Sequence, residues 1–258
     1  MAVSNGDRAH ELNEVRWWSW WAEATWLSAD VYMMFSKEFD EPFFNRAGLV
    51  GVPIDAESAL ESVENEFERR GRTPSIFVRQ DQNHPRLLRA FDARGYRIAD
   101  QMAVMELENP SFAVNREVQL EVGRRGDLDD WVTTYLTAFY GDLGQAEVVT
   151  RIVKGIPDGE GVSFMLARLD KRPVGCLALF KSEGLCGVYC LSTHPNFRGM
   201  RVASTMLELS HREAANEGRR LVLQTILSDS MEGFYLKLGF ARLYAKDVFV
   251  RDARRSAR

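Results

Sequence analysis

The sequence predicts an α/β (α+β) fold present in two copies, and three observations carry that prediction. The chain has 258 residues, long for one compact unit of ~100–200 residues and suited to two smaller ones. Helix-type and strand-type apolar patterns alternate along it. A gapless repeat relates its halves: a shift of 144 residues sets Leu87 on Met231, Phe77-Val78 on Leu221-Val222, Gly95-Tyr96 on Gly239-Phe240 and Val104-Met105 on Val248-Phe249. In both halves a helix ending in glycine, Gly71 or Gly218, precedes the matched stretch, which favours duplication of one fold.

In the first half, Trp17, Trp20, Trp21, Ala24, Leu27, Val31, Met34 and Phe35 recur at spacings of three and four. That periodicity predicts one amphipathic helix from Trp17 to Phe35, with Trp18 and Trp26 off its main stripe. A second helix is predicted from Asp55 to Arg70, stopped by Gly71, followed by a strand over Ser75–Val78. Pro110, in Glu108–Phe112, breaks a strand pattern and marks the domain boundary. Beyond it the sequence predicts a strand through Val118, Leu120 and Val122, then helices over Asp127–Tyr140, with Asp127 near the cap, and Gln145–Lys154. Val162–Leu169, Val174–Phe180 and Leu185–Ser192 read as an antiparallel meander, joined by turn-like residues at 170–173 and 182–184. A helix over Met200–Glu217 leads to a buried strand at Leu221–Leu227, and a final helix and strand close the chain.

Composition excludes several classes. Lys and Arg number 33 against 37 Asp and Glu, a net charge of −4, so nothing in the overall balance calls for a nucleic-acid partner. The three cysteines, Cys176, Cys186 and Cys190, form no CxxC pair; neither a disulfide framework nor a metal site is expected, and a reducing cytoplasm fits. The N-terminal residues lack the apolar run of a secretory signal. Glu23 and Asp30 interrupt the Trp-rich segment, and a central Asp costs about 2.5–3.5 kcal/mol in a bilayer, so no membrane partner is expected. An exposed part of the Trp-rich face would favour a homodimer.

Chemistry concentrates in Cys186–Leu209. A strand ends near Thr193, Pro195 breaks it, and Arg198-Gly199 precede a helix whose first turns hold Ala203, Ser204 and Thr205. Open backbone N–H groups at a helix start, small side chains and two arginines suit an anion such as pyrophosphate. Neither GxxxxGK[ST] nor GxGxxG occurs.

These residues resemble the GNAT N-acetyltransferases. The family's phosphate loop reads Gln or Arg, two residues, Gly, one residue, then Gly or Ala, and Arg198-Gly199-Met200-Arg201-Val202-Ala203 fits its first and last positions. Arg201 replaces the middle glycine, and we expect it in helical geometry with its side chain directed outward. Ser228–Phe240 resembles the second motif: Ser228 stands where Asn is usual, Tyr235 is in place, and Lys237-Leu238-Gly239-Phe240 agrees. The first half lacks these features, since Phe91 stands at the repeat position of Tyr235 and Gly48–Glu57 has no Arg-Gly pair.

The resemblance implies two GNAT-like domains, each a mixed, mostly antiparallel twisted sheet flanked by helices. The first, 1–112, is a degenerate copy; the second, 113–258, is catalytic. It further implies acetyl-CoA as co-substrate and a primary amine of a small molecule or peptide as acceptor. Leu191, Ser192 and Thr193 would hold the pantetheine arm and offer an N–H to the acetyl carbonyl. Arg198, Gly199, Met200, Arg201, Val202, Ala203 and Ser204 would cradle the pyrophosphate, Ser228 would contact the arm, and Tyr235 would protonate the departing thiolate. Glu147, Glu183, Tyr189, Cys190 or a water chain could take the proton from the amine, whereas His10, His84, His194 and His211 read as solvated, loop or helix-surface residues. Two other readings stand beside this one. One is a binding module that senses acyl-CoA or another ligand without turnover; the other is a longer-chain acyltransferase using the Trp17–Trp26 cluster.

Overall fold

The computed structural model describes residues 5–51, 55–82, 85–123 and 128–251; His84, Asp127 and residues 252–258 lie outside them. In chain order the elements are α1 (Asn5–Trp18), β1 (Glu23–Trp26), β2 (Val31–Phe35), β3 (Arg46–Leu49), α2 (Ala56–Arg69), β4 (Ser75–Arg79), α3 (Pro85–Ala93) and β5 (Tyr96–Leu107). There follow β6 (Gln119–Gly123), α4 (Asp129–Phe139), α5 (Ala146–Gly155), β7 (Val162–Leu169), β8 (Arg172–Ser182) and β9 (Leu185–Thr193). The series closes with α6 (Val202–Asn216), β10 (Arg220–Ile226), α7 (Glu232–Lys237) and β11 (Phe240–Arg251). Shifting β5 by 144 residues lays it on β11 from end to end. No helix among the described residues is long and apolar enough to cross a membrane.

The chain forms two compact units, and no single cut separates them. One comprises Met1–Val104, Thr225–Glu232 and Arg242–Arg258; the other comprises Met105–Gln224 and Gly233–Ala241.

In the first unit the strand order is β1-β2-β3-β4-β11-β5. β3 and β4 are parallel, and β11 pairs antiparallel with β4 through Val78↔Asp247 and Ile76↔Phe249. The last strand among the described residues therefore pairs within the first unit. On one face, Leu60, Val63 and Phe67 of α2 and Leu87, Ala90 and Phe91 of α3 cover Val31, Met33, Ile76 and Val78. Phe91 stacks on Phe249, centroids 4.2 Å apart and planes 6° apart. The repeat position of Tyr235 is thus filled by core packing.

The helix expected from Trp17 to Phe35 does not form. α1 stops at Trp18, and β1 and β2 make an antiparallel hairpin with Trp26 opposite Tyr32. The turn is held by Leu27 N–H on the Val31 carbonyl at 2.9 Å and Asp30 N–H on Ser28 Oγ at 3.2 Å. Every residue of β2 is buried, and a strand covered on both faces has no polar gaps, so its apolar residues also satisfy a three-and-four spacing. Trp18 packs on Phe43 at 4.6 Å and on Phe44 at 5.6 Å, while Trp26 stays 42% exposed.

On the opposite face α1 brings two buried carboxylates to the sheet. Lys246 Nζ lies 2.7 Å from Glu11 Oε2 and 2.7 Å from Glu14 Oε2, and Arg46 NH2 lies 2.7 Å from Glu14 Oε1. Tyr244 donates its hydroxyl to Glu11 Oε1 at 2.7 Å. Burial acts to raise the Glu14 pKa, but the Lys246 ammonium and the Arg46 guanidinium outweigh it and hold the carboxyl below its ordinary value. Burial acts to lower the Lys246 pKa, and Glu11 and Glu14 reverse that, raising it. Each charge is tolerable inside only because its partners are there.

In the second unit the order is β10-β9-β8-β7-β6. The meander β7-β8-β9 is antiparallel as the sequence predicts, β6 extends it antiparallel, and β10 lies parallel to β9. α6 packs so closely on β8 that a Cβ at Gly175 would come 2.8 Å from Val202 Cγ1 and 2.9 Å from Met206 Cε.

Removing one member of the buried ion cluster leaves its partners charged and dry. Lys246→Met should cost about 3–5 kcal/mol, read by guanidinium unfolding followed through the Trp-rich first unit. The pH dependence has a definite sign. The depressed Glu14 pKa contributes stability above the unfolded carboxylate pKa of about 4.3, lost as pH falls through the folded value. The raised Lys246 pKa contributes stability below about 10.4, lost as pH rises through the folded value. Stability of the parent should therefore hold from about pH 5 to 10 and fall on both sides.

Candidate functional site

The site is built where β9 meets α6. Register between β8 and β9 shifts between Cys176↔Ser192 and Ala178↔Tyr189, so that Cys190 and Leu191 together oppose Leu177. This is a β-bulge, and Cys190 takes a left-handed backbone at φ 53°. A non-glycine residue pays about 1–2 kcal/mol there. The Leu177 carbonyl accepts the Trp131 indole N–H at 2.9 Å. Parallel pairing of β9 with β10 ends at Val188↔Leu223, which leaves the β10-side edge of Tyr189–Thr193 uncommitted to that partner. Just past that point, Gln224 Nε2 is a buried donor without a hydrogen-bond partner among the described residues.

After β9 the His194 N–H donates to the Val174 carbonyl at 2.8 Å, and a short 3-10 turn over Pro195–Phe197 leads into Arg198. Gly199 has φ 81°, and a Cβ there would meet nothing within 4 Å. The glycine serves the backbone conformation, not space within the protein. Arg201 is the N-cap of α6 at φ 60°, ψ 22°, and makes no capping side-chain bond. It is therefore left-handed, not helical as the sequence reading expects, and it stands where glycine would bear no strain. With no side-chain cap, the N–H groups of Val202, Ala203 and Ser204 in the first turn of α6 have no carbonyl partner within the helix. Ser204 is 5% exposed, and its Oγ has no hydrogen-bond partner among the described residues.

A neighbouring segment fixes this turn. The Asn115 N–H donates to Thr205 Oγ1 at 2.8 Å, Thr205 Oγ1 donates to the Arg201 carbonyl at 2.8 Å, and Asn115 Nδ2 donates to the Met200 carbonyl at 3.2 Å. Val114–Glu117 and Gly199–Arg201 line an open cavity of about 480 Å³. Arg198 is exposed and donates to the Ala138 carbonyl at 3.3 Å. Asn115 escapes sequence reading because it lies in no recognised motif, and Thr205, read there only as a small residue at the helix start, also holds the turn.

The equivalent helix start in the first unit is closed. Asp55 caps α2, its Oδ1 accepting from Glu57 N–H at 3.1 Å and Ser58 N–H at 3.2 Å. A carboxylate already occupies the place an anion would take.

Ser192 is buried and shares a hydrogen bond of 3.0 Å with Cys176 Sγ. Burial pushes the Cys176 thiol up to about 12, against a smaller opposing effect of Ser192. Cys190 is likewise pushed well above its ordinary value, first by burial, which removes it as a base at neutral pH. Glu147 is exposed on α5, and Glu183 sits in the β8–β9 turn, at the far end of β9 from Thr193. Tyr235, on α7, is 9% exposed and packs on Phe234 at 5.3 Å and Phe240 at 5.9 Å. Ser228 belongs to the first unit, where its hydroxyl donates to Asp100 Oδ2 at 2.5 Å.

Comparison with known proteins agrees with this architecture. Residues 160–242 match the family model described as the acetyltransferase (GNAT) domain. The chain resembles a GCN5-related N-acetyltransferase from Kribbella flavida at 17% identity, covering 95% of this chain and 96% of that one with a TM-score of 0.69. A GCN5-related N-acetyltransferase from Sphaerobacter thermophilus matches at 13% identity, 95% and 89% coverage and a TM-score of 0.68. A tandem GNAT protein from the clavulanic acid biosynthesis pathway matches at 17% identity, 85% and 77% coverage and a TM-score of 0.60. No curated protein matches the sequence. Residues 160–242 thus match the GNAT acetyltransferase domain, and the solved structures share the fold of the chain.

Because Arg201 holds a left-handed backbone, Arg201→Gly should leave thermal stability unchanged or raise it by about 1 kcal/mol, relief of strain competing with a freer unfolded chain. Arg201→Val should destabilise, because a β-branched residue tolerates the left-handed region less well than arginine. Thermal unfolding of the two variants beside the parent reads the difference.

Proposed function

We propose that the protein is an acetyl-CoA-dependent N-acetyltransferase, moving an acetyl group to a primary amine of a small molecule or peptide by direct attack and a tetrahedral intermediate. The observation that carries this reading is the uncapped start of α6, with the orphaned Ser204 hydroxyl beside it and the β9 bulge just before it. Arg198–Ser204 cradle the pyrophosphate with backbone N–H groups, and Arg198 and Arg201 add charge. Main-chain groups of Leu191, Ser192 and Thr193 hold the pantetheine arm, and an N–H among them stabilises the oxyanion. Tyr235 gives its proton to the departing thiolate, which a phenol of reference pKa near 10 retains at neutral pH.

The first copy, over 1–112 in sequence, contributes fold without donor chemistry. Its helix start is capped by Asp55, and Phe91 is spent on the core. Cys176, Cys186 and Cys190 are all free and buried, in keeping with a reducing cytoplasm.

Thiol release from acetyl-CoA against a panel of amines tests the reading. Gly199→Asp should abolish acetyl-CoA binding by placing a carboxylate at the pyrophosphate. Tyr235→Phe should leave the Kd unchanged and lower kcat by about 10²–10⁴. Undiminished turnover in Tyr235→Phe removes the proton-donor role. Tight binding without thiol release would favour an acyl-CoA sensor, and preference for longer acyl donors would favour a longer-chain acyltransferase.

A further inference from the structure

The geometry points to Trp131 as a positioning residue of the donor site: its indole N–H holds the β9 bulge in register and so fixes the main-chain groups of Leu191–Thr193. What those groups bind rests on the acyl-transfer reading; the hold on the bulge does not.

Trp131 is 1% exposed on α4 and directs its single donor to the carbonyl of Leu177, the residue that faces the two bulged residues. Its ring stacks on Tyr135, one helical turn on, with centroids 5.4 Å and planes 20° apart. Tyr135 in turn lies beside the Cys190 thiol, close enough that each shifts the other's proton affinity. One helix face thus grips both sides of the bulge, the lone residue of β8 and the left-handed residue of β9. Such a grip is needed because the bulge is not the strand's relaxed state. Cys190 would lose its strain if the ladder closed up, and closing up would slide the end of β9 by one residue. A slip of one residue turns every following side chain and its main-chain groups to the other face, carrying Ser192 and Thr193 out of the geometry now paired as Cys176↔Ser192 and Gly175↔Thr193. The Trp131 N–H opposes that slip, since the buried indole would otherwise be left without an acceptor.

The test removes the donor and keeps the shape, by incorporating the sulfur isostere 3-benzothienylalanine at position 131, with Trp131→Phe as a second variant. Hydrogen exchange of amides 190–193 is measured in the free protein, and Kd for acetyl-CoA by calorimetry. Both variants should exchange faster at 190–193 and bind acetyl-CoA about tenfold more weakly, a loss in keeping with one buried hydrogen bond. The isostere should keep a thermal midpoint near that of the parent. Unchanged exchange at 190–193 in the folded isostere variant overturns the assignment, as does altered exchange with an unchanged Kd. If the parent itself binds no acetyl-CoA, the acyl-transfer reading falls, and the exchange comparison alone decides the role of Trp131.

Discussion

Lys246 can be buried only because Glu11 and Glu14 are buried with it. The first unit is organised around that necessity. The ammonium comes from β11, near the end of the chain, and the carboxylates come from α1, near its beginning. Arg46 adds β3 to the same cluster through Glu14, and Tyr244 adds a second residue of β11 through Glu11. An ion in a dry interior is far more costly alone than paired, so the cluster specifies which strand and which helix meet, and in which register. The β4–β11 pairing and the Phe91–Phe249 stack follow on the other face of the same strand.

The starts of α2 and α6 differ in their caps. α2 begins with an aspartate whose carboxylate takes two N–H groups; α6 begins with a left-handed arginine whose side chain takes none. The fold supplies the same helix dipole to both. What distinguishes them is whether the protein has already neutralised it. Asn115 and Thr205 support the turn through the Met200 and Arg201 carbonyls, so their donors do not compete for the N–H groups of the first turn of α6.

Much of the second unit was legible in the sequence because local signals and tertiary packing agree there. The meander and α6, which begins at Val202, two residues past the expected Met200, follow from alternation, turn residues and glycine stops, as does the repeat between β5 and β11 in the first unit. The Trp17–Phe35 segment misled because a helix end followed by a fully buried strand reproduces helical spacing. Arg201 misled for a related reason: a residue at the edge of a helix pattern reads as helical, and left-handed geometry at a non-glycine leaves no mark in the sequence. The bulge at Cys190 is equally silent, since one extra residue in a strand of unbroken apolar character disturbs no alternation that can be seen. Trp131 reads as an ordinary core residue until its indole is found on the Leu177 carbonyl. Nor does strand order announce itself. The repeat suggests two consecutive domains, yet Arg242–Arg258 group with the first unit.

That last arrangement bears on how the protein is made. A ribosome delivers α1 and β1 to β5 of the first unit early, and β11 only after β6 to β10 have emerged. Until then β4 lacks its antiparallel neighbour, and Glu11 and Glu14 have no lysine to sit beside. The first unit thus reaches its native pairing last, and the half of the chain synthesised first must wait, with an open strand edge, for the half synthesised second.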